Sequence, residues 1–264
     1  MTKAPLHGLL AGRRGVVLGV SGTSGMGYQI AQGFRALGAE VAITHRAPRR
    51  AAVAPLAAEL GCAAVECDFN DESSVNRAMA ELGERFGRLD FLIHTLVHVP
   101  DGVLARPVSE LSAADFATVM ESSVRSLLVA ARFARPWLER SESPRIVTLL
   151  SAGGDFAIPH YHVVGIAKGA LASAVRYLAA ELGAARIACN AVNFSILETE
   201  AALRAIGRDR TFETKSYLAK RSMLRTPVEF GDVIDSIAFL ASGLCRNVTG
   251  ETINVDGGFS RNYF

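Results

Sequence analysis

Residues 15–27 read GVVLGVSGTSGMG, in which a short apolar run leads into a glycine-rich turn. Helical periodicity begins at Met26, so the turn lies between a first strand and a first helix. Glycines in this place let the backbone approach a pyrophosphate, and the free N–H groups of a helix N-terminus favour an anion. The order of strand, turn and helix predicts a dinucleotide-binding loop with Gly19, Ser21, Gly25 and Met26 as contacts, a purely structural turn being the alternative.

The alternation of short apolar strands with longer helical segments continues along the rest of the chain. Strand-like runs, with segments of helical period between them, recur at 41–44, 63–66, 91–94, 146–150, 187–192 and 251–255. Continuous apolar strands joined by helices predict a parallel sheet covered by helices on both faces. Because no linker, repeat or low-complexity segment interrupts it, the sequence predicts an α/β fold in which residues 1–264 form one doubly wound, Rossmann-type domain.

Composition limits the classes of protein to which the chain can belong. Half of the residues are hydrophobic and the formal charge is only +2, which does not favour binding to nucleic acid or to a membrane surface. The four cysteines lack the spacing of metal ligands, and neither a signal peptide nor an apolar run of transmembrane length is apparent. We therefore expect a cytoplasmic protein with no metal, no nucleic-acid partner and no membrane partner.

The ends of the second and third strands bear on the choice of dinucleotide. An acidic residue after the second strand would bind a free ribose 2′-hydroxyl, but residues 44–50 read THRAPRR and contain no carboxylate. Arginines at a helix start are unfavourable unless an anion compensates them, so the cluster predicts NADPH rather than NADH, with Arg46 on the 2′-phosphate. A solvated basic helix start is the alternative. Asp68 is expected to accept from the adenine amino group with Phe69 beside the ring, unless Asp68 only shapes its loop.

A tyrosine precedes a lysine by seven residues in the segment 158–168, which reads IPHYHVVGIAK. This spacing predicts a phenol and an ammonium about two turns apart on one face of a helix. A lysine so placed can bind a cofactor ribose and hold positive charge, while a tyrosine can donate to a carbonyl oxygen. The pair Tyr161 and Lys168 therefore predicts reductive chemistry, the alternative being an ordinary helix with both side chains on its surface.

Together with the C-terminal segment GETINVDGGFS at 250–260, these features resemble the short-chain dehydrogenases/reductases. Ordinary members have the tyrosine four residues before the lysine, where this chain has Val164. The NAD(P)H-dependent enoyl-acyl-carrier-protein reductase branch has it seven residues before, as in Tyr161 and Lys168, and the resemblance runs from about residue 12 to residue 260. It implies hydride transfer to the β-carbon of a 2-enoyl thioester, with Tyr161 stabilising the enolate oxygen and Lys168 holding the nicotinamide ribose.

The resemblance also implies roles for residues that no motif singles out. Thr95 and Leu96 would line the path from adenosine to nicotinamide, and Leu197 and Thr199 would meet the carboxamide and a phosphate. A substrate lid is expected at about residues 197–225, whose basic residues would meet phosphopantetheine or an acyl carrier protein, a solvated amphipathic helix being the alternative. The family further implies a homotetramer. His160 or His162 is expected to contact substrate rather than a metal.

Three departures from the branch keep other functions open. Ser151 replaces a second aromatic residue and also matches the catalytic serine of ordinary superfamily members, so we assign it to the catalytic set. Val97 replaces a glycine after the fourth strand, and Ser195-Ile196 replaces a Gly-Pro pair after the sixth. These differences favour a specialised biosynthetic paralogue. They leave two alternatives: a carbonyl or imine reductase using Ser151 with Tyr161, and a non-catalytic homologue that binds cofactor.

Overall fold

A single seven-stranded parallel sheet organises the molecule. The computed structural model describes residues 8–199, 202–203 and 207–262. The strands are β1 (Arg14–Leu18), β2 (Glu40–His45), β3 (Ala63–Glu66), β4 (Phe91–His94), β5 (Arg145–Ser151), β6 (Ala188–Phe194) and β7 (Thr252–Val255). Their order is β3-β2-β1-β4-β5-β6-β7, and every neighbouring pair is parallel. This topology confirms the predicted doubly wound fold.

Helices cover both faces of the sheet. Those in the described residues are α1 (Met26–Ala36), α2 (Arg50–Leu60), α3 (Glu72–Phe86), α4 (Ala113–Met120), α5 (Ser126–Leu138), α6 (His162–Leu182), α7 (Arg208–Arg221) and α8 (Phe230–Ala241). The sequence marks several of their ends. Asp71 caps α3 by accepting from the backbone N–H of Ser73 at 2.9 Å, and Gly61 closes α2 in the left-handed conformation with φ of 59°.

Two apolar cores lie on opposite faces of the sheet, because successive strand residues point to opposite sides. Val16 belongs to the core beneath α3, α5 and α6, while its neighbour Val17 belongs to the core beneath α1, α2 and α8. Both side chains are fully buried. The continuous apolar strands of the sequence therefore have the pattern that burial on both faces requires.

The long helix predicted at about 115–140 is not continuous. A five-residue π-helical turn, Glu121–Arg125, separates α4 from α5. The Ser126 hydroxyl donates to the carbonyl of Ser122 at 2.7 Å, and the Ser122 hydroxyl accepts the N–H of His98 at 3.0 Å. Serines that bond to the backbone in this way compete with regular helical hydrogen bonds, and π-turns are frequent at functional sites.

Helix α6 is the central apolar helix of the fold. The segment His162–Ala185 has a mean hydropathy of 1.3 and is long enough to cross a membrane, contrary to the expectation that no apolar run has that length. Half of it is buried, and α6 packs on β5 and β6. Its apolar composition is therefore accounted for by the core of this fold.

The strand order reverses between β1 and β4, and ligands of such sheets bind beyond the carboxyl ends of the strands at this point. The segments that leave β1, β4 and β5 all begin at this edge. They carry the glycine-rich turn, the Thr95–His98 segment, and the approach to Tyr161. The fold thus brings the glycine-rich turn, the Thr95–His98 segment and Tyr161 to one edge of the sheet.

Candidate active site

The glycine-rich turn packs directly against the segment that follows β4. Gly19 has φ of 88°, and its N–H donates to the hydroxyl of Thr44 at the end of β2, at 3.1 Å. A Cβ atom at Gly19 would lie only 2.4 Å from Cδ2 of Leu96. Thr95 donates its hydroxyl to the carbonyl of Leu18 at 2.6 Å. Glycine is therefore required at position 19, and Thr95 and Leu96 lie beside the turn.

The N-terminus of α1 has the features of an anion site. Gly25 is its extended N-cap residue, and neither a side-chain cap nor an acidic residue in the first turn is present in this described part of the chain. The first N–H groups of the helix are therefore left for a ligand. A Cβ atom at Gly27 would lie 3.2 Å from both the Gly19 carbonyl and the Thr95 hydroxyl, so glycine lets the helix approach β1 closely. Ser21 is exposed at the turn, whereas Met26 is buried. This cradle fits a pyrophosphate.

Asp68 and Phe69 shape the end of β3. The Asp68 carboxylate accepts from the backbone N–H of Asn70 at 3.0 Å, and the Asp68 N–H donates to the Ser74 hydroxyl at 3.0 Å. Phe69 is half-buried and packs against the core beneath α3 and α5. These contacts account for both residues within the fold, and their contact with an adenine stays a prediction.

Tyr161 and Ser151 face each other across the edge of the sheet. The two hydroxyl oxygens lie 2.9 Å apart. A Cβ atom at Gly153 would lie 2.3 Å from the tyrosine ring, so glycine is needed beneath it. Burial raises the pKa of Tyr161, although the hydrogen bond to Ser151 lowers it. The phenol is therefore protonated at neutral pH and available as a donor.

Tyr161 is not on the helix that the sequence predicts for it. Its φ and ψ are −134° and 6°, and it occupies the N-cap position, so α6 begins one residue later. The preceding His160 is left-handed with φ of 58°, which turns the chain before the helix starts. A turn therefore brings Tyr161 to the end of β5, and helix α6 brings Lys168 there. The two residues do not share one face of a helix.

Lys168 is buried in the second turn of α6. Its ammonium donates to the carbonyl of Leu149 at 2.8 Å, and burial lowers its pKa from 10.5 to about 8. A Cβ atom at Gly154 would lie 3.2 Å from the Lys168 backbone, so glycine permits α6 to approach the end of β5. Leu149 and Ser151 belong to the same strand end, which therefore positions Lys168 and Tyr161 together.

Of the two histidines that flank Tyr161, His162 has structural partners and His160 lines a cavity. His162 accepts the N–H of Val163 on Nδ1 at 2.8 Å, and its Nε2 lies 3.0 Å from the carbonyl of Arg106. Both ring nitrogens are thus engaged by protein, which does not favour the expected substrate contact. His160 lines a cavity of about 450 Å³ between residues 104–108 and Ile158. Among the described residues, no three His, Cys, Asp or Glu side chains lie close enough to hold a metal ion.

The predicted lid is only partly within the described residues, because 200–201 and 204–206 lie outside them. Leu197 is buried, and Thr199 accepts the N–H of Ala202 on its hydroxyl at 3.2 Å. Helix α7 forms the second half of the lid segment. Lys215 of this helix contacts Glu198 at 3.1 Å and Glu229 at 2.9 Å, which ties α7 to both flanking segments.

Several residues that hold this site were missed by the sequence analysis. The sequence marks Thr44 only as part of a strand end, but its hydroxyl accepts the N–H of Gly19 and so holds the glycine turn. Gly153 and Gly154 lie under Tyr161 and Lys168. The Gly-Gly pair two residues after Ser151 is a usable signal, because adjacent glycines often mark a close approach of backbone.

Comparison with known proteins decides the family. Residues 19–260 match the family model described as enoyl-(acyl carrier protein) reductase. The chain belongs to this family. It is 34% identical over 262 residues to enoyl-[acyl-carrier-protein] reductase [NADH] 1 of Rhizobium meliloti (strain 1021), covering 97% of this chain and 93% of that protein.

Solved structures of enoyl-acyl-carrier-protein reductases agree with this assignment. The Aquifex aeolicus VF5 enzyme, named for NADH, superposes with a TM-score of 0.90 at 32% identity, over 97% of this chain and 100% of that one. The Anaplasma phagocytophilum enzyme in complex with NAD gives 0.89 at 32% identity, over 98% and 95%. The chain is accordingly an oxidoreductase of the short-chain reductase type.

The prediction of NADPH is wrong in the light of these relatives, whose names specify NADH. The structure shows the flaw in the charge argument. Arg50 pairs with Glu66 at 3.7 Å, so β3 supplies a carboxylate that the local sequence of β2 does not reveal. Arg46 and Arg49 are exposed to solvent before α2 begins. The basic cluster is a solvated helix start, the alternative interpretation, and needs no 2′-phosphate.

Proposed function

We propose that this chain is a cytoplasmic, NADH-dependent reductase of 2-enoyl thioesters, carried by acyl carrier protein or coenzyme A. The observation that carries the proposal is that the end of β5 contacts both residues. Its Ser151 hydroxyl lies 2.9 Å from the Tyr161 hydroxyl, and its Leu149 carbonyl accepts the Lys168 ammonium. The relatives support it, since they are named enoyl-acyl-carrier-protein reductases acting with NADH. They offer no support for a specialised paralogue, for a carbonyl or imine reductase, or for a non-catalytic homologue.

The cofactor cradle fits a dinucleotide. Gly19, Ser21 and Gly25, with the uncapped N-terminus of α1, would hold the pyrophosphate. Thr95 and Leu96 would form the wall beside the nicotinamide. NADH supplies a hydride for the β-carbon of the substrate when it is bound at such a site.

A second group of contacts would complete the cradle. Lys168 would bind the nicotinamide ribose, and its buried ammonium already has Leu149 as one acceptor. Leu197 and Thr199 follow β6 and would meet the carboxamide and a phosphate. Asp68, Phe69 and Met26 would complete the adenosine side.

Tyr161 and Lys168 would divide the stabilisation of negative charge between them. As the β-carbon is reduced, charge develops on the thioester carbonyl oxygen, and the Tyr161 hydroxyl would donate a hydrogen bond to that oxygen. The raised pKa of Tyr161 keeps its proton available for this purpose. Lys168 has a pKa of about 8, so it is mostly charged at neutral pH and favours the same enolate.

Two surfaces would contact other molecules: a basic one on α7 for the substrate carrier, and an apolar one on α5 and α6 for other subunits. Helix α7 carries the exposed basic residues Arg208, Arg210, Lys220 and Arg221, which would suit phosphopantetheine or an acidic carrier protein at the lid. Large apolar side chains are exposed on the outer faces of α5 and α6, with Leu128 at 41%, Ile166 at 44% and Tyr177 at 77%. Exposure of large apolar side chains on these two helices supports the homotetramer.

The test of this function is oxidation of NADH by the purified protein. Crotonyl thioesters of coenzyme A and of acyl carrier protein are the expected substrates, and ketones and imines of similar size are the comparison. Thioester-dependent turnover with NADH, and little with NADPH, would support the proposal. Turnover only with ketones or imines, or NADH binding without any turnover, would refute it.

A further inference from the structure

His94, the last residue of β4, is a fully hydrogen-bonded histidine in the interior. Its Nδ1 lies 2.9 Å from the Thr148 hydroxyl and its Nε2 lies 2.8 Å from the Ser126 hydroxyl. All three side chains are at most 1% exposed. None of these three residues has a part in the reaction as proposed above. Burying such polar side chains costs folding free energy unless every hydrogen bond is made, so the group calls for another explanation.

The bonding pattern fixes which nitrogen carries the proton. The Ser126 hydroxyl donates its only proton to the carbonyl of Ser122 at 2.7 Å, so it must accept from His94 Nε2–H. Nδ1 therefore accepts from the Thr148 hydroxyl at 2.9 Å, a much shorter contact than that of the same hydroxyl with the His94 carbonyl at 3.5 Å. Burial, together with the nearby charge of Lys168, lowers the pKa of His94 to about 3, so the ring stays neutral beside the ammonium.

On one side, His94 holds the strand end that carries the reacting groups. His94 and Thr148 are direct partners in the β4–β5 ladder. The next residue, Leu149, accepts the Lys168 ammonium at 2.8 Å, and Ser151 meets Tyr161 two residues further on. The bond from Thr148 to the imidazole is thus a side-chain tie between β4 and this end of β5.

On the other side, His94 holds the wall of the cofactor cradle. Its bond to Ser126 fixes the residue that follows the π-turn. Within that turn, the Ser122 hydroxyl accepts the N–H of His98. Because Thr95 and Leu96 lie between His94 and His98, the segment is anchored at both ends by one connected network.

We propose that His94 is a positioning residue, which sets the Leu149 carbonyl for Lys168 and the Thr95–His98 segment for the cofactor through Thr148 and Ser126. The proposal rests on the proposed function only in taking NADH as the ligand of this cradle. A neutral imidazole suits the place, because a second cation beside Lys168 would repel it.

The experiment compares NADH dissociation constants, kcat and thermal stability in five full-length variants, one of which is a control. His94→Phe keeps the ring and loses both bonds, so NADH binding should weaken about tenfold or more and kcat should fall. His94→Asn keeps an acceptor near Nδ1 and should recover much of the loss. Thr148→Val should reproduce the effect of His94→Phe, and the double variant should be little worse than either single one. Val75→Ala, in the α3 core, is the control for lost stability alone.

The outcomes separate this inference from the proposed function. If folded His94→Phe binds NADH within about twofold of the wild type, or loses affinity only as Val75→Ala does, the inference is overturned. If His94→Phe does not fold, the milder Thr148→Val decides by the same criterion. A wild type that does not bind NADH overturns both. A wild type that binds NADH without reducing thioesters overturns only the proposed function, and the binding measurements still decide the role of His94.

Discussion

The phenol oxygen of Tyr161 lies 2.9 Å from the hydroxyl oxygen of Ser151, the last residue of β5. The same strand, two residues earlier, accepts the ammonium of Lys168. A single strand end therefore positions the hydroxyl and the ammonium that would stabilise a developing enolate in the proposed reaction. The first two predictions follow from this arrangement.

Tyr161→Phe should lower kcat by about 10²–10³-fold, the usual loss for one oxyanion donor, while NADH affinity stays similar. Single-turnover rates and NADH fluorescence titration measure the two quantities. Tyr177→Phe is the matched control, because it removes only an exposed hydroxyl from α6 and should have no effect. Full turnover by Tyr161→Phe would show that Tyr161 is not the donor.

Ser151→Ala measures how far the reaction depends on the second hydroxyl. An enoyl reductase relying on Tyr161 should lose less than about tenfold in kcat, since the serine contacts the phenol and would act on the substrate only through it. The pKa of Tyr161 should rise in this variant, because the bond to Ser151 lowers it. A loss of about a hundredfold or more would instead indicate that the serine is a second donor to the substrate.

Lys168→Met should stabilise the protein without cofactor at neutral pH, because it removes a buried ammonium. The pKa of Lys168 falls from 10.5 to about 8 on folding. Between these values the unfolded chain binds more protons than the folded one, so wild-type stability rises with pH relative to the variant. The advantage of the variant, at most about 3 kcal/mol, should therefore shrink as pH rises from 8 to 10.5. Denaturant unfolding of both proteins checks this, and a gap independent of pH would contradict it.

Lys215→Met should loosen α7. Burial alone would lower the pKa of Lys215, but its bonds to Glu229 and Glu198 raise it, so the ammonium stays charged and paired. Losing it should weaken hydrogen-exchange protection of Arg208–Arg221 by about 1 kcal/mol and raise KM for the thioester more than it lowers kcat. Lys220→Met, which changes an exposed lysine of the same helix, is the control for exchange protection alone, because Lys220 belongs to the basic surface proposed for the carrier. An equal loss of exchange protection in the two variants would show that the bonds of Lys215 to Glu198 and Glu229 do not hold α7 in place.

The assembly should be a homotetramer at micromolar concentration, which light scattering measures directly. Ile166→Glu places a charge on the exposed apolar face of α6 and should dissociate it. A monomer mass for the wild type would refute the assembly. An unchanged mass for the variant would show that this face is not its interface.

Much of the fold is predictable because its determinants are local. The strand, glycine turn and helix at residues 15–27 follow one another in the chain, and Gly61 and Asp71 mark helix ends by their own conformations and bonds. The seven-residue spacing of Tyr161 and Lys168 is also local. The structure places both residues beside the end of β5, although Tyr161 lies before α6 rather than within it, and their catalytic role stays a prediction.

The features that sequence analysis missed depend on contacts between distant segments. Arg50 at the start of α2 pairs with Glu66 at the end of β3. This carboxylate lies outside residues 44–50, so the local sequence does not reveal it. The π-turn at Glu121–Arg125 is bonded to His98 through the Ser122 hydroxyl, and the neutral state of His94 depends on its burial and on the charge of Lys168. None of these pairings leaves a mark in the local pattern of apolar residues.

The most direct test of the central claim is the fate of the hydride. The purified protein is given NADH carrying deuterium at the transferred position, with a crotonyl thioester, and the product is analysed by mass spectrometry and NMR. We predict a saturated thioester with one deuterium on the β-carbon, formed far more slowly by Tyr161→Phe. Absence of deuterium from the β-carbon, or its appearance only on the carbinol carbon of a reduced ketone supplied as a competitor, would contradict the claim.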